Sequence, residues 1–177
     1  MIELVFVMGI VAIVFGAALY SISGPQVEQE IRENHGGIED LALQARTMSY
    51  SYQQPFVVEL RAGEARMMPL ANPDDSRDED DDDRASSPSA LKPLDSFSWP
   101  RVFKVDPQYE ISVKRWDSND YLRVDDDDVV RWVHQPNTPC EPLAIQLVSE
   151  DGNALLSRTF HPLTAKGVDD EMTIQNP

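Results

Sequence analysis

Leu4–Tyr20 reads LVFVMGIVAIVFGAALY, a run without a charged residue or a proline. At about 1.5 Å per residue, a helix of roughly 20 residues spans the hydrocarbon core of a bilayer. In lipid such a run satisfies its backbone polar groups only as a helix. The sequence therefore predicts a transmembrane N-terminal helix over 1–25. Its membrane-facing residues would be Leu4, Val5, Phe6, Val7, Ile10, Val11, Ile13, Val14, Phe15 and Leu19.

A carboxylate stands directly before this apolar run. Glu3 occupies a place where most membrane segments carry Lys or Arg, and no basic residue precedes Arg32. A secretory signal peptide needs a basic start, and a plain membrane anchor is usually oriented by flanking basic residues. An isolated acid at the head of an apolar helix is costly in lipid and therefore indicates a function. We therefore expect a functional role for Glu3, with a plain membrane anchor as the alternative interpretation of the run.

The next segment also has a helical period, but it is amphipathic and not uniformly apolar. Gly24-Pro25 is expected to end or kink the first helix, since Pro25 has no backbone N–H to donate. Beyond it, apolar residues recur at spacings of three, four and seven, which predicts an amphipathic helix over 26–54 that continues the spine. Gly36-Gly37 weakens this helix. Its apolar stripe comprises Val27, Ile31, Ile38, Leu41, Ala45, Met48 and Tyr52. The other face carries charged and polar residues, Arg46 among them.

After Pro55 the apolar pattern changes to a period of two. Residues 56–61 and 65–70 predict one β-hairpin, and 143–149 and 154–160 predict another. Shorter strand candidates separated by turn residues lie at 99–105, 109–116, 121–124 and 129–134. Together they predict a β-rich head over 55–166 built as an antiparallel sheet or sandwich. The head includes an acidic, disordered loop at 72–90, and 167–177 reads as a polar tail.

Two stretches carry a resemblance to a known family. Ile2-Glu3-Leu4, followed by the uncharged run, resembles the N-terminal helix of type IV pilin-like proteins, which include the pseudopilins of type II secretion. Ala45-Arg46-Thr47-Met48-Ser49 and Gln54-Pro55-Phe56-Val57-Val58 resemble the H-type minor pseudopilins and the FimT-like minor pilins. The resemblance implies an α+β, pilin-like fold, in which a long N-terminal helix with a transmembrane half and an amphipathic half packs on the antiparallel head.

The function implied by the resemblance is structural. The chain would be a minor pseudopilin in a type II secretion pseudopilus, a single-pass inner-membrane protein with its head in the periplasm. Its partners would be other pseudopilins or pilins, and Glu3 would pair with the N-terminal amine of a neighbour. A prepilin peptidase and N-methylation are implied through a leader expected upstream of Met1. The alternatives are a FimT-like minor type IV pilin and a membrane-anchored periplasmic binding module.

The net charge and the absence of known motifs argue against nucleic-acid binding, metal binding and catalysis. The net charge of −16 argues against nucleic acid as a partner, because no basic stripe is present to neutralise phosphates. We expect the Asp-rich runs 74–83 and 125–128 to be solvated, the second of them at the tip of a hairpin. Calcium binding is the alternative, although neither run has the EF-hand spacing. The single Cys140 and three scattered histidines form no catalytic or metal motif. We therefore expect no enzyme, no cofactor and no metal site.

Overall fold

The computed structural model describes residues 2–70, 94 and 97–175, and for 2–6, 14–25 and 169 it describes the backbone alone. The acidic loop expected at 72–90 lies outside the described residues. Within them, one helix is followed by nine strands. They are α1 (Ile2–Tyr52), β1 (Phe56–Arg61), β2 (Glu64–Pro69), β3 (Arg101–Lys104), β4 (Tyr109–Arg115), β5 (Leu122–Arg123), β6 (Val130–His134), β7 (Leu143–Ser149), β8 (Ala154–Phe160) and β9 (Gly167–Ile174).

The helix α1 differs from the predicted pair of N-terminal helices. Its 51 residues form one element that passes through Gly24-Pro25 without ending. Among the described residues, no helix is long and apolar enough to cross a membrane. The described side chains that precede Gln26 are those of Val7–Ile13, a stretch of about 10 Å against a hydrocarbon core of about 30 Å. The predicted fold class, a pilin-like α+β fold with a transmembrane half of the helix, is therefore wrong.

The strands form two antiparallel sheets. Sheet A has the order β3-β2-β1-β6, and sheet B has the order β5-β4-β7-β8-β9. Both predicted hairpins are confirmed, since β1 pairs with β2 and β7 pairs with β8 in antiparallel register. Gly63 and Gly152 lie in the two turns with φ values of 70° and 72°, a left-handed conformation that glycine adopts without steric cost.

Two acidic segments take places that the sequence did not indicate. Asp125–Asp128 was expected at a hairpin tip, but β5 before it belongs to sheet B and β6 after it belongs to sheet A. The acidic run is thus a crossing between the sheets. Gly167–Ile174, within the expected polar tail, forms β9 and pairs along the whole of β8. Acidic residues are depleted in strands, so β9 owes its conformation to its neighbours.

The end of α1 packs on both sheets. It contacts β1, β2, β3 and β6 of sheet A, and β8 and β9 of sheet B. The predicted apolar stripe is confirmed, because its residues are buried or pack on the core. Contacts with two sheets bury more of the helix than one stripe, however. The further buried residues of α1 are Asn34, His35, Ala42, Arg46 and Ser49.

The paired glycines of α1 give a test of this packing. A Cβ at Gly37 would collide with the ring of Phe103 on β3, whereas one at Gly36 would meet no atom within 4 Å. We expect Gly37→Ala to lower the free energy of unfolding by about 1–3 kcal/mol through overpacking. Gly36→Ala should raise it by up to about 1 kcal/mol through helix propensity. Denaturant unfolding of both variants measures this, and a shift of the same sign in both would contradict the packing.

Candidate functional site

Two parts of α1 differ from an ordinary surface helix, and we name them the arm and the seam. The arm is Val7–Ile13, and every residue in it is exposed. The seam is the surface along which Ile31–Tyr52 meets the two sheets. Four predicted membrane residues lie in the arm, with exposed fractions of 59% for Val7, 52% for Ile10, 51% for Val11 and 73% for Ile13.

The remaining predicted site residues have side chains outside the described part of the chain. These are Glu3, Leu4, Val5, Phe6, Val14, Phe15 and Leu19. The assembly role of Glu3 therefore stays a prediction. The expected transmembrane helix and the single-pass inner-membrane location are wrong, since the described residues hold no helix fit to span a membrane.

A charged network joins α1 to the edge of sheet B. The guanidinium of Arg158 on β8 donates to Glu39 Oε2 of α1 at 2.5 Å and to Asp170 Oδ2 of β9 at 2.7 Å. The second oxygen of Glu39 accepts the backbone N–H of Gly167 at 3.0 Å. A side chain at Gly167 would collide with that of Arg158. The helix α1 and the edge strand β9 thus share one largely buried cation.

Each member of this network stabilises the charge of the next. The hydrogen bond between Arg158 and Asp170 is the main cause of two pKa shifts. It lowers the pKa of Asp170 below the ordinary value and raises the pKa of Arg158. A carboxyl whose pKa is lowered on folding stabilises the native state when ionised. That contribution is lost as the pH falls through the pKa of the folded protein. The contribution is therefore complete above the ordinary aspartate pKa of 3.8 and declines below it.

A buried arginine fixes the end of α1 to two irregular segments. Arg46 is 4% exposed, and it donates to the carbonyls of Gln135, Thr138 and Leu163 at 2.8, 2.7 and 3.0 Å. Its remaining bond is to the hydroxyl of Tyr50 at 3.1 Å. No carboxylate among the described residues pairs with it. Arg46 was expected on the polar face of the helix, but carbonyls of the two segments replace water around its guanidinium.

Two histidines are fully buried beside α1. His35 lies on the helix, where its Nε2 is 3.1 Å from the carbonyl of Ile145 and its ring stacks on Phe160. His134 ends β6, and neither of its ring nitrogens has a described partner. Burial lowers the pKa of both, in His134 to about 4. Both are neutral at pH 7, and protonation of either would leave a cation in the core.

The titratable groups of the described residues do not gather into a metal centre. No group of three His, Cys, Asp or Glu residues in this part of the chain could hold a metal ion. Asp125–Asp128 has mostly exposed side chains, as predicted for a solvated run. The buried Cys140 thiol donates to the carbonyl of Pro162 at 2.9 Å, and burial raises its pKa. Such a thiol is a poor nucleophile.

The contacts of the seam were only partly predictable from the sequence. His35 lies four positions after Ile31 and three before Ile38 of the apolar stripe, which places it at the border of the stripe. That spacing was a signal for its burial, whereas Arg46 has no stripe residue three or four positions away. Arg158 and Asp170 had no comparable signal, because they meet only once β9 has paired with β8.

The charged network gives a second test. Arg158→Met should lower the free energy of unfolding by about 2–4 kcal/mol at pH 7, because Glu39 is left with an unpaired, largely buried charge. The side chains of Arg158 and Glu39 are each 15% exposed. Adding Glu39→Gln to the same chain should recover part of the loss. Urea unfolding at pH 7 measures all three proteins.

Arg123→Met is the matched control. Arg123 also binds two carboxylates, those of Glu110 and Asp125, but its side chain is 59% exposed. Exposed ion pairs contribute little, so the control should lose less than about 1 kcal/mol. Equal losses in Arg158→Met and Arg123→Met would show that the network does not hold the seam.

Comparison of the chain with protein-family models, curated proteins and solved structures finds no match.

Proposed function

We propose that the chain is a structural subunit that assembles through the arm of α1 with further copies of itself or with related subunits. One observation carries this proposal. The arm exposes apolar side chains on an element whose other end is locked into the head by the seam. The resemblance of Ile2-Glu3-Leu4 and the following run to type IV pilin-like proteins favours a pilin-like assembly.

The side chains of the arm are exposed around the whole helix, which favours burial by protein neighbours on every side. Seven consecutive helical residues turn through nearly two full turns, so Val7–Ile13 presents its side chains around the whole circumference. None of them is charged or strongly polar, and all are exposed. A helix that is apolar all round is normally buried. A bundle of several arms would cover each one, whereas a flat contact would cover only one face.

The magnitudes also favour a bundle over a pair. Covering the exposed half of five large apolar side chains is worth about 1 kcal/mol each, or roughly 5 kcal/mol in total. Association costs an estimated 4–15 kcal/mol in lost translational and rotational freedom. A single contact between two arms is therefore marginal. Stable association requires each arm to contact several others, as it would in the centre of a filament.

The seam gives the arm a defined direction relative to the head. Because Ile2–Tyr52 is one helix, the arm and the seam belong to the same rod. The network of Glu39 and Arg158 and the carbonyl bonds of Arg46 stop this rod from sliding along the sheets. Arms that meet in a bundle would then place their heads at fixed positions around it.

Substitution in the arm tests the proposal. Ile10→Asp combined with Ile13→Asp should abolish concentration-dependent assembly of the purified full chain, measured by sedimentation velocity, because a bundle would bury both carboxylates. Added salt should strengthen assembly of the unsubstituted chain, since it screens the repulsion between copies that each carry a net charge of −16. The stability of the head should stay unchanged.

Leu122→Asp is the control, since Leu122 is 65% exposed but lies in β5 of the head. It should assemble as the unsubstituted chain does. An unsubstituted chain that stays monomeric up to its solubility limit would overturn the proposal. So would an arm variant that assembles normally, or a chain that partitions into phosphatidylcholine vesicles without contacting other copies.

Glu3 gives an independent test of the pilin-like form of the assembly. If Glu3 pairs with the N-terminal amine of a neighbour, as the resemblance implies, Glu3→Ala should lower incorporation into co-assembled filaments. The reason is that one partner of a buried ion pair is then left uncompensated, at a cost of about 3–5 kcal/mol. A pull-down from mixed wild-type and variant chains measures the ratio. Recovery of Glu3→Ala at the wild-type level would refute this role while leaving the arm bundle intact.

A further inference from the structure

His134 is an unusual core residue. Its side chain is fully buried, both ring nitrogens lack a hydrogen-bond partner among the described residues, and the ring of Trp132 lies 4.7 Å away. A buried polar group without a partner costs stability, so most are satisfied. An apolar ring would fill the same place at a lower cost. The imidazole therefore calls for an explanation beyond packing.

Among the described residues around His134, no group would stabilise the protonated imidazole. The guanidinium of Arg46, reaching over from α1, is the described charged group that acts on the imidazole, and it opposes protonation. In the β-sheet register, β1 faces His134 with Phe56, and within β6 the neighbouring ring is that of Trp132. A protonated His134 would be a second buried cation beside Arg46, with no carboxylate within ion-pair distance among the described residues.

The segment that follows His134 is held by individual hydrogen bonds, among them one from Asn137 to Gln53, and not by strand pairing. Among the described strands, β6 pairs only with β1 and forms an edge of sheet A. Beyond it, Arg46 holds the carbonyls of Gln135 and Thr138, and Cys140 donates its N–H and its thiol to the carbonyl of Pro162. These contacts tie an irregular stretch to the end of α1 and to the turn after β8. None of them is a strand pairing of sheet B, so the stretch can open while β7 and β8 stay paired.

We propose that His134 is a proton-sensitive latch: when it is protonated, the segment Gln135–Cys140 separates from Arg46 and the end of α1 while the two sheets stay folded. The latch goes beyond the proposed assembly and does not depend on it. Opening gives the new imidazolium access to water, separates it from Arg46, and exposes the Cys140 thiol. Re-deprotonation closes the segment again.

The size of the effect follows from proton linkage. Burial holds the pKa of His134 at about 4, against 6.5 for the solvated group. A histidine whose pKa is lowered favours the closed state above pH 6.5 and loses that effect as the pH falls towards 4. For this interval, the equilibrium constant for opening rises by about 20-fold between pH 7 and pH 5.

Reactivity of Cys140 measures opening, because it is the single cysteine of the chain and is buried when the segment is closed. The rate of its reaction with 4,4′-dithiodipyridine, a reagent that works in acid, is divided by the rate of a free-thiol peptide at each pH. We expect this ratio to rise by about 20-fold from pH 7 to pH 5. In His134→Phe it should rise less than about threefold. His161→Gln should behave as the unsubstituted chain.

Amide hydrogen exchange of the unsubstituted chain gives a second measurement that needs no variant. Corrected for intrinsic rates, exchange at residues 130–140 should accelerate at pH 5, while the β7–β8 hairpin stays protected. A ratio for Cys140 that does not change with pH would overturn the latch. So would an unchanged rise in a folded His134→Phe chain, or acceleration of equal size throughout both sheets, which is global acid unfolding.

Discussion

The end of α1 has to satisfy two sheets at once, and this constraint shapes the whole head. A helix against one sheet needs one apolar stripe, and Ile31, Ile38 and Leu41 provide it. A second sheet covers part of the flank that would otherwise face water. The residues on that flank are polar, and each has to find a partner inside the protein or remain unsatisfied. His35, Glu39 and Arg46 are the result, since they lie in or beside the core and reach different strands and segments.

Polar contacts of this kind specify position more than they add stability. Apolar side chains tolerate a helix shifted by part of a turn, because contact between hydrocarbon surfaces has little directional preference. Arg158 does not tolerate it, since its guanidinium bonds Glu39 and Asp170 in fixed directions. Arg46 adds three carbonyls from two segments. A shifted helix would leave buried charges without partners, so these two arginines set the axial position of α1.

Sequence patterns predicted the local structure well and the long-range structure poorly. The apolar stripe of α1 and both hairpins could be read from periodicity and turn residues, because those depend on neighbours in the chain. The strand β9 could not, since its acidic sequence has low strand propensity and its pairing depends on β8 and on Arg158. Asp125–Asp128 looked like a hairpin tip because periodicity does not say to which sheet a strand belongs. The exposed arm was part of a run interpreted as a membrane span, and the described residues do not contain such a span.

The charge of the chain and the apolar character of the arm act in opposite directions on association. With 31 acidic and 15 basic residues, heads of separate copies repel each other at distances up to about one Debye length, roughly 8 Å at physiological salt. The uncharged arm contributes nothing to this repulsion and gains from being covered. Copies that meet through their arms therefore lower their free energy most when the arms converge and the heads point away from one another.

A rigid connection between arm and head is what allows both conditions to hold together. If α1 could turn or slide in the seam, the heads would be free to approach and the repulsion would act against the bundle. The polar contacts that fix the helix in the head are thus also what would give the proposed assembly its geometry.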